Sequence, residues 1–457
     1  MKKTETIKRM IILQLSFIGL LLQTAIYAYF WLTAYYPFLR RHRNFHFYFK
    51  GHVLILAIYF VLLFFFASTY GALKIGYLKP VDVLVSEIFS LLFVNVISYF
   101  QISLMANWVV DLKPIVSVMV LQTLFAGVWV FFCNVCYYKA FPPREILIIH
   151  GERSIDDIVR KFETRKDKYR IKKAVCISDG MEKVKKEIDA GYGAVVLWDI
   201  SAVDRNALLK YCYSCSVRVY MMPKITDVLI RGADQLHLFD TPIYLTREYA
   251  LKVEQRAAKR LVDLVCSVIL LVIASPFMLV TATAIKLYDG GPVFYRQIRC
   301  TRDRKEFYIL KFRSMRVDAE KDGVARLASK NDSRITPVGK FIRATRIDEL
   351  PQLFNILKGE MSFIGPRPER PEIIAQYMET MPEFAFRMKV KAGLAGYAQV
   401  YGKYNTTPYD KLKLDLTYIE QYSVWLDLKL MLLTLKILIK PESTEGVDEN
   451  QTTAMKS

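Results

Sequence analysis

Four long apolar runs dominate the first third of the chain, at residues 10–36, 52–72, 81–106 and 114–138, with short polar segments between them. Each is as long as the ~20 residues a helix needs to cross a hydrocarbon layer about 30 Å thick, so the pattern predicts a four-helix transmembrane domain over residues 1–140. The first run is too long for a cleaved signal peptide and lacks a small-x-small cleavage site. After Arg144 the pattern changes. The runs EILIIHG (145–151), AVCIS (174–178), AVVLWD (194–199) and VRVYMMP (217–223) are short and apolar, and polar helical stretches separate them. Buried parallel strands have this signature, which predicts a small Rossmann-like α/β domain over residues 144–248.

A fifth apolar run, LVCSVILLVIASPFMLVTATAI, fills residues 264–285. Ser275 and Pro276 interrupt its middle, where proline removes a helical hydrogen bond and bends the helix. Both flanks are basic, with Lys252, Arg256, Lys259 and Arg260 before it and Lys286, Arg296 and Arg299 after it. A crossing helix would place one basic cluster outside, against the positive-inside tendency. The reading is therefore a re-entrant helix over residues 263–287, broken at Ser275-Pro276, that attaches an α-rich domain (residues 252–445) to the bilayer. Near the C-terminus, VWLDLKLMLLTLKILIK (424–440) carries Asp427, Lys429, Lys436 and Lys440, which suits an interfacial helix.

Composition agrees with a membrane protein: 53% of the 457 residues are hydrophobic and 13% aromatic. The formal net charge of +20 calls for anionic partners, among which membrane lipid headgroups, phosphorylated substrates and nucleic acid remain open on composition alone. The seven cysteines include two C-x-x-C pairs, Cys133/Cys136 and Cys212/Cys215, and are read as structural. Loop charge does not decide orientation. Four spans, however, put the N-terminus and everything after Tyr138 on one side, and the basic character of the latter favours the cytoplasm. The α/β region has a single glycine, Gly151, after its first strand. That is too few for a dinucleotide-binding turn and points to a regulatory or dimerisation module.

Candidate chemistry is concentrated in residues 292–370. In GKFIRATRIDELPQLFNILKG (339–359), Leu350, Leu353, Phe354 and Leu357 recur at helical spacing, Gly359 suits a C-terminal cap, and Pro351 belongs in a first turn. Asp348 and Glu349 then fall at a helix N-terminus, where the dipole and free N–H groups favour anions. Acidic residues are also common there simply as caps. What sets this pair apart is its company: Arg343, Lys311 and Arg313 in KFRSM (311–315), and Arg367 in a rigid GPRP turn (365–368). Arginine forks bind phosphate oxygens in paired geometry.

These residues resemble the bacterial sugar transferases, the monotopic polyprenyl-phosphate phosphoglycosyl transferases. The resemblance rests on the Ser275-Pro276 break, KFRSM, Arg343 five residues before Asp348-Glu349, LFNILKG (353–359) and MSFIGPRP (361–368). It runs from about residue 256 to 440, and the four spans with an α/β domain are similar to the long form of the family. The resemblance implies a UDP-sugar donor, a polyprenyl phosphate acceptor and Mg²⁺, with Asp348 as nucleophile. Asp348 and Glu349 are then the catalytic and metal-binding pair, and Lys311, Arg313, Arg343, Arg367, Gly396 and Gln399 contact phosphate or substrate. AGLAGY (392–397) stands where the family pattern has Pro-Gly-Ile-Thr-Gly-Trp. Both glycines and the following AQV (398–400) are kept, so contacts of this loop with the donor nucleotide are in question.

Also implied are the bacterial plasma membrane, a catalytic domain on the cytoplasmic face, and a place in capsule or exopolysaccharide assembly. A homodimer is compatible with this reading. Two rivals stand beside it. A conventional glycosyltransferase would release UDP instead of UMP. A membrane-anchored regulator with a basic binding domain would show basic stripes without a carboxylate pair, and no nucleic-acid motif occurs in the chain.

Overall fold

A computed structural model describes residues 2–43, 48–246, 250–317, 332, 334–402 and 406–438. The chain divides into two compact units, residues 1–223 and 224–457.

The first unit opens with α1 (Lys2–Phe30), which passes through a wider π turn at Trp31–Tyr35 into α2 (Tyr36–Arg43). Three further long helices follow: α3 (Phe49–Tyr70), α4 (Pro80–Ala106) and α5 (Lys113–Ala140). These four hydrophobic segments are long and apolar enough to cross a membrane. Their polarity is inverted relative to a soluble bundle. Leu13, Phe17, Leu54, Val61, Phe100, Leu104, Val128 and Phe131 face outward, while Gln23, Asn95, Gln122 and Tyr59 are buried together inside. Gln122 donates to the Gln23 carbonyl (2.9 Å) and to the Tyr59 hydroxyl (2.9 Å), and Asn95 donates to Gln122 (2.8 Å). Interhelical hydrogen bonds of this kind fix which helix faces meet where lipid supplies no hydrophobic drive.

The same unit continues into β1 (Arg144–His150), α6 (Asp156–Glu163), β2 (Tyr169–Cys176), α7 (Met181–Asp189), β3 (Ala194–Trp198), α8 (Ala202–Ser214) and β4 (Val219–Met221). The strands form one parallel sheet in the order β2-β1-β3-β4. All four predicted strands are present, and buried Ile146–Ile149 and Val195–Leu197 explain why β1 and β3 read as unbroken apolar runs. Gly151 serves packing: a Cβ there would overlap the Asp199 carbonyl oxygen.

The second unit comprises α9 (Ile225–Gly232), the hairpin β5 (Asp234–Leu238) and β6 (Thr241–Leu245), α10 (Val253–Asp289), the hairpin β7 (Phe294–Cys300) and β8 (Glu306–Phe312), α11 (Pro337–Ala344) and α12 (Gln352–Lys358). Then come β9 (Ser362–Ile364), α13 (Pro371–Thr380), β10 (Gly393–Ala395), α14 (Tyr397–Tyr401), α15 (Pro408–Glu420) and α16 (Val424–Leu438). The predicted C-terminal helix therefore forms; Lys440 lies outside the described residues. Its core gathers Ile309, Leu353, Ile356, Phe363, Phe384, Leu412, Leu416 and Leu430. The first turns of α10 bind this core directly. Lys259 reaches Asp427 at 2.6 Å and the Ile364 carbonyl at 2.8 Å, Arg260 donates to the Ile356 and Leu357 carbonyls at the end of α12, and Asp263 accepts from Ser362 and the Phe363 N–H.

The helix does not stop at Ser275-Pro276, which corrects the expected break: α10 is helical on both sides of the proline. Pro276 has no N–H for the Val272 carbonyl four residues earlier. Ser275 Oγ donates to that same carbonyl at 2.9 Å, so the orphaned acceptor is satisfied from one residue away. The apolar surface of α10 around this point, including Val268, Ile269, Val272, Ile273, Phe277 and Val280, is exposed in the unit.

Candidate active site

The turn that carries the carboxylate pair is built by local rules. Thr336 caps α11 by accepting from the Gly339 N–H at 2.9 Å, and the helix ends at Ala344. Arg346 then takes a left-handed conformation (φ 59°), which turns the chain into a single 3₁₀ turn at Ile347–Glu349. α12 begins directly after it with Pro351 as cap and closes on Gly359 in the left-handed region (φ 86°). The predicted helix thus forms with its predicted stop, and the pair sits in the tight turn that precedes it. Asp348 faces inward and is only 8% exposed.

Glu349 is the electrostatic centre. Its Oε1 accepts from Lys311 at 2.8 Å and from Arg367 at 3.3 Å, with the Arg346 guanidinium 4.0 Å away. Burial alone would raise the Glu349 pKa; the charges of Lys311, Arg367 and Arg346 outweigh it and hold this carboxyl well below the ordinary range. Asp348 behaves oppositely. Burial pushes its pKa up, and the pull of Lys311, Arg343 and Arg346 only partly offsets this. One Asp348 oxygen, Oδ1, is buried without a hydrogen-bond partner. The site therefore pairs a firmly ionised, fully engaged carboxylate with a desolvated one that has a free oxygen, amid cations.

The GPRP turn is held from behind. Arg299 donates to the Pro368 carbonyl at 3.1 Å and Arg387 to the Arg367 carbonyl at 3.0 Å. Buried Arg387 is itself fixed by Asp415 at 2.8 Å and faces Glu369 at 3.7 Å. In front, the Gly365 N–H donates to the Ala395 carbonyl and the Gly393 N–H to the Pro366 carbonyl, both at 2.9 Å. A Cβ at Gly396 would overlap the Gly365 carbonyl oxygen. The two glycines of AGLAGY thus let β10 and the GPRP turn approach backbone to backbone. Gln399 follows on α14 with its Oε1 buried and unpartnered.

The stretch of sequence from α10 to α16 coincides with a known family. Residues 254–441 match the family described as bacterial sugar transferase. A UDP-glucose:undecaprenyl-phosphate glucose-1-phosphate transferase of Caulobacter vibrioides is 38% identical over 190 residues, 40% of this chain and 71% of that protein. This chain belongs to the bacterial sugar transferase family. Its similarity extends to a protein of the same description from Klebsiella pneumoniae, 39% identical over 271 residues (56% of each chain). It is likewise 38% identical over 252 residues to a UDP-N-acetylgalactosamine-undecaprenyl-phosphate N-acetylgalactosaminephosphotransferase of Aeromonas hydrophila, covering 53% of this chain and 57% of the relative. The chain spans little more than half the length of these last two.

Of the residues singled out in the sequence of this family member, Lys311, Asp348, Glu349 and Arg367 converge, and Arg343 adds its charge to Asp348. Arg313 stands apart: its guanidinium pairs with Asp289 at 2.7 Å and donates to the Pro292 carbonyl at 2.8 Å, locking the chain where it leaves α10. Gly396 and Gln399 belong to the layer in front of the GPRP turn. Sequence reasoning missed Arg346 as a partner of Glu349, because its role depends on a left-handed backbone. It also missed Arg299, Arg387 and Asp415, which lie 68, 20 and 48 positions from Arg367 and carry no local signal.

Proposed function

We propose that the protein transfers a sugar 1-phosphate from a UDP-sugar to undecaprenyl phosphate and releases UMP. The observation that carries this reading is the buried, unpartnered Oδ1 of Asp348 beside a Glu349 already engaged by Lys311 and Arg367. Asp348 attacks the sugar-linked phosphorus, the bond from that phosphorus to the UMP oxygen breaks, and UMP leaves with the electron pair. A phosphate oxygen of the lipid then attacks the same phosphorus, the acyl-phosphate bond breaks, and the Asp348 carboxylate is restored. Arg367, Lys311 and Arg343 offset the charge of the transferring group. Glu349 has little affinity for a proton at neutral pH, which favours its role as the anchor of these cations over that of a base.

Among the described residues no three His, Cys, Asp or Glu side chains converge as a metal cage. The Asp348 carboxylate, which makes no hydrogen bond or ion pair among the described residues, nevertheless fits Mg²⁺, which takes one or two carboxylates together with substrate phosphates. Asp348, with Glu349 adjacent, would hold the ion, which when bound neutralises diphosphate charge.

Membrane attachment follows from the lipid acceptor. A straight helix of 37 residues would be about 55 Å long. Yet the first turns of α10 bind α12 and β9, and Met278, Ala282 and Ile285 pack with Phe312 of β8 and Ile342. Both ends on one layer favour a re-entrant helix, with the catalytic domain on the cytoplasmic face. Trp425, Leu428, Leu435 and Leu438 form an exposed stripe on α16 suited to the interface. Purified protein in nanodiscs with undecaprenyl phosphate, Mg²⁺ and a panel of UDP-sugars is expected to release UMP from one donor. Asp348→Asn or EDTA abolishes the signal. Release of UDP in place of UMP would exclude the covalent route.

A further inference from the structure

A second charged site lies on the other side of the β7–β8 hairpin. Residues 296, 308 and 310 lie on one face, because Arg296 pairs with Leu310 and Ile298 with Tyr308, whereas Lys311 pairs with Tyr295 on the opposite face. A groove of about 650 Å³ opens there, lined by Arg296, Arg302, Lys305, Lys358 and Lys391 and by two carboxylates, Glu306 and Glu360. It adjoins the C-terminal end of α12, whereas Asp348 and Glu349 precede the N-terminal end.

The cations outnumber their partners. Arg302 is paired with Asp303 at 3.1 Å, and Glu360 is engaged by Asn355 at 2.6 Å. Among the described residues Arg296, Lys305, Lys358 and Lys391 have no side-chain hydrogen bond or ion pair. Lys391 is half-buried, and burial together with Arg260 and Arg302 pushes its ammonium pKa down, so charge of like sign is already crowded there. The hairpin turn that presents Arg302 and Lys305 holds Asp303 (φ 57°) and Arg304 (φ 59°) in the left-handed region, as a two-residue type I′ turn requires. Exposed Tyr308 supplies an aromatic wall.

We propose that this groove is a second anion site that binds a phosphate-bearing ligand, separate from the Asp348 centre. A pocket of this size accepts a molecule as large as a nucleotide, and the same cations would serve a soluble diphosphate or the phosphate of a lipid headgroup. Neither source requires the transfer reaction.

Hydrogen–deuterium exchange on the full-length protein in phosphatidylcholine nanodiscs reads each site through its own peptides. Titration with pyrophosphate is expected to protect residues 296–310 and 356–360 saturably. The Lys305→Glu/Lys358→Glu double variant shifts that midpoint at least tenfold and leaves the midpoint at residues 343–350 unchanged. Both lysines are exposed, and retained UMP release reports that the variant is folded. If pyrophosphate protects nothing there but replacing phosphatidylcholine with phosphatidylglycerol does, and the double variant abolishes it, the ligand is lipid-borne. Absence of protection with both, or an unchanged midpoint in the double variant, overturns the site.

Discussion

At the residue scale, Asp348 and Glu349 are chemical neighbours with opposite electrostatics, because one faces the interior and the other faces three cations. The raised pKa of Asp348 has a kinetic consequence. Under the proposed mechanism Asp348 loses its nucleophilic form as pH falls through that value, so the acid limb of kcat/KM is expected above the ordinary aspartate value near ~3.9. Lys311→Met removes the largest charge that favours the ionised form and moves the limb further up, whatever it does to the plateau. The stability sign is the reverse of the catalytic one. A raised folded pKa contributes stability only below the unfolded value and loses it as pH rises through the folded one, so at neutral pH Asp348→Asn should raise the melting temperature while abolishing turnover. A pH profile with its limb at or below ordinary aspartate would remove Asp348 from the role. The acidic pair, Arg343 and the GPRP turn with its Arg367 were legible in the sequence; the part played by Arg346, and which carboxylate carries the free oxygen, were not, because both depend on the left-handed φ of Arg346.

At the element scale, α10 does two jobs with one apolar pattern. Its polar first turns tie α12, β9 and α16 together, and its middle leaves apolar side chains exposed. The Lys259–Asp427 contact (2.6 Å) is buried on both sides, so Lys259→Met strands an uncompensated carboxylate and should cost about 3–5 kcal/mol, measured as a lowered melting temperature. Lys259→Met/Asp427→Leu should recover much of that loss; a double variant no better than the single would show that the pair's other partners, Tyr418 and the Ile364 carbonyl, dominate. Pro276→Leu restores the missing N–H to Val272 and favours a straight helix. Cysteine labelling from both faces of the membrane should then show the segments flanking α10 on opposite sides, and unchanged labelling would mean that proline does not set the re-entrant form. Proline was visible in the sequence as a helix-breaking signal. What it could not disclose was the remedy, a serine hydroxyl satisfying the freed carbonyl.

At the scale of the whole molecule, the second unit contains the carboxylate pair, its cations, a core and its own long apolar helix. Residues 224–457 expressed alone should therefore remain membrane-bound and release UMP from the donor that the full chain uses. Loss of activity in a folded, membrane-bound fragment would assign a catalytic contribution to the first unit. In the first unit Gly151, directly after β1, is required by close packing against the Asp199 carbonyl.

The sequence by itself determined the long apolar helices, the four parallel strands, α12 with its glycine stop and the residues that carry family membership. These are governed by periodicity, chain length in lipid and local capping, all of which act between near neighbours. Tertiary structure alone decided that Glu349 gathers Lys311, Arg346 and Arg367, that Arg313 turns away to Asp289, and that Arg299, Arg387 and Asp415 brace the GPRP turn. It also set a groove on the face of the β7–β8 hairpin away from Asp348 and Glu349, where Arg296, Lys305, Lys358 and Lys391 have no side-chain partner among the described residues. Charges attract or desolvate one another across space regardless of sequence separation, and a residue's partner is therefore fixed by packing, which no local pattern encodes.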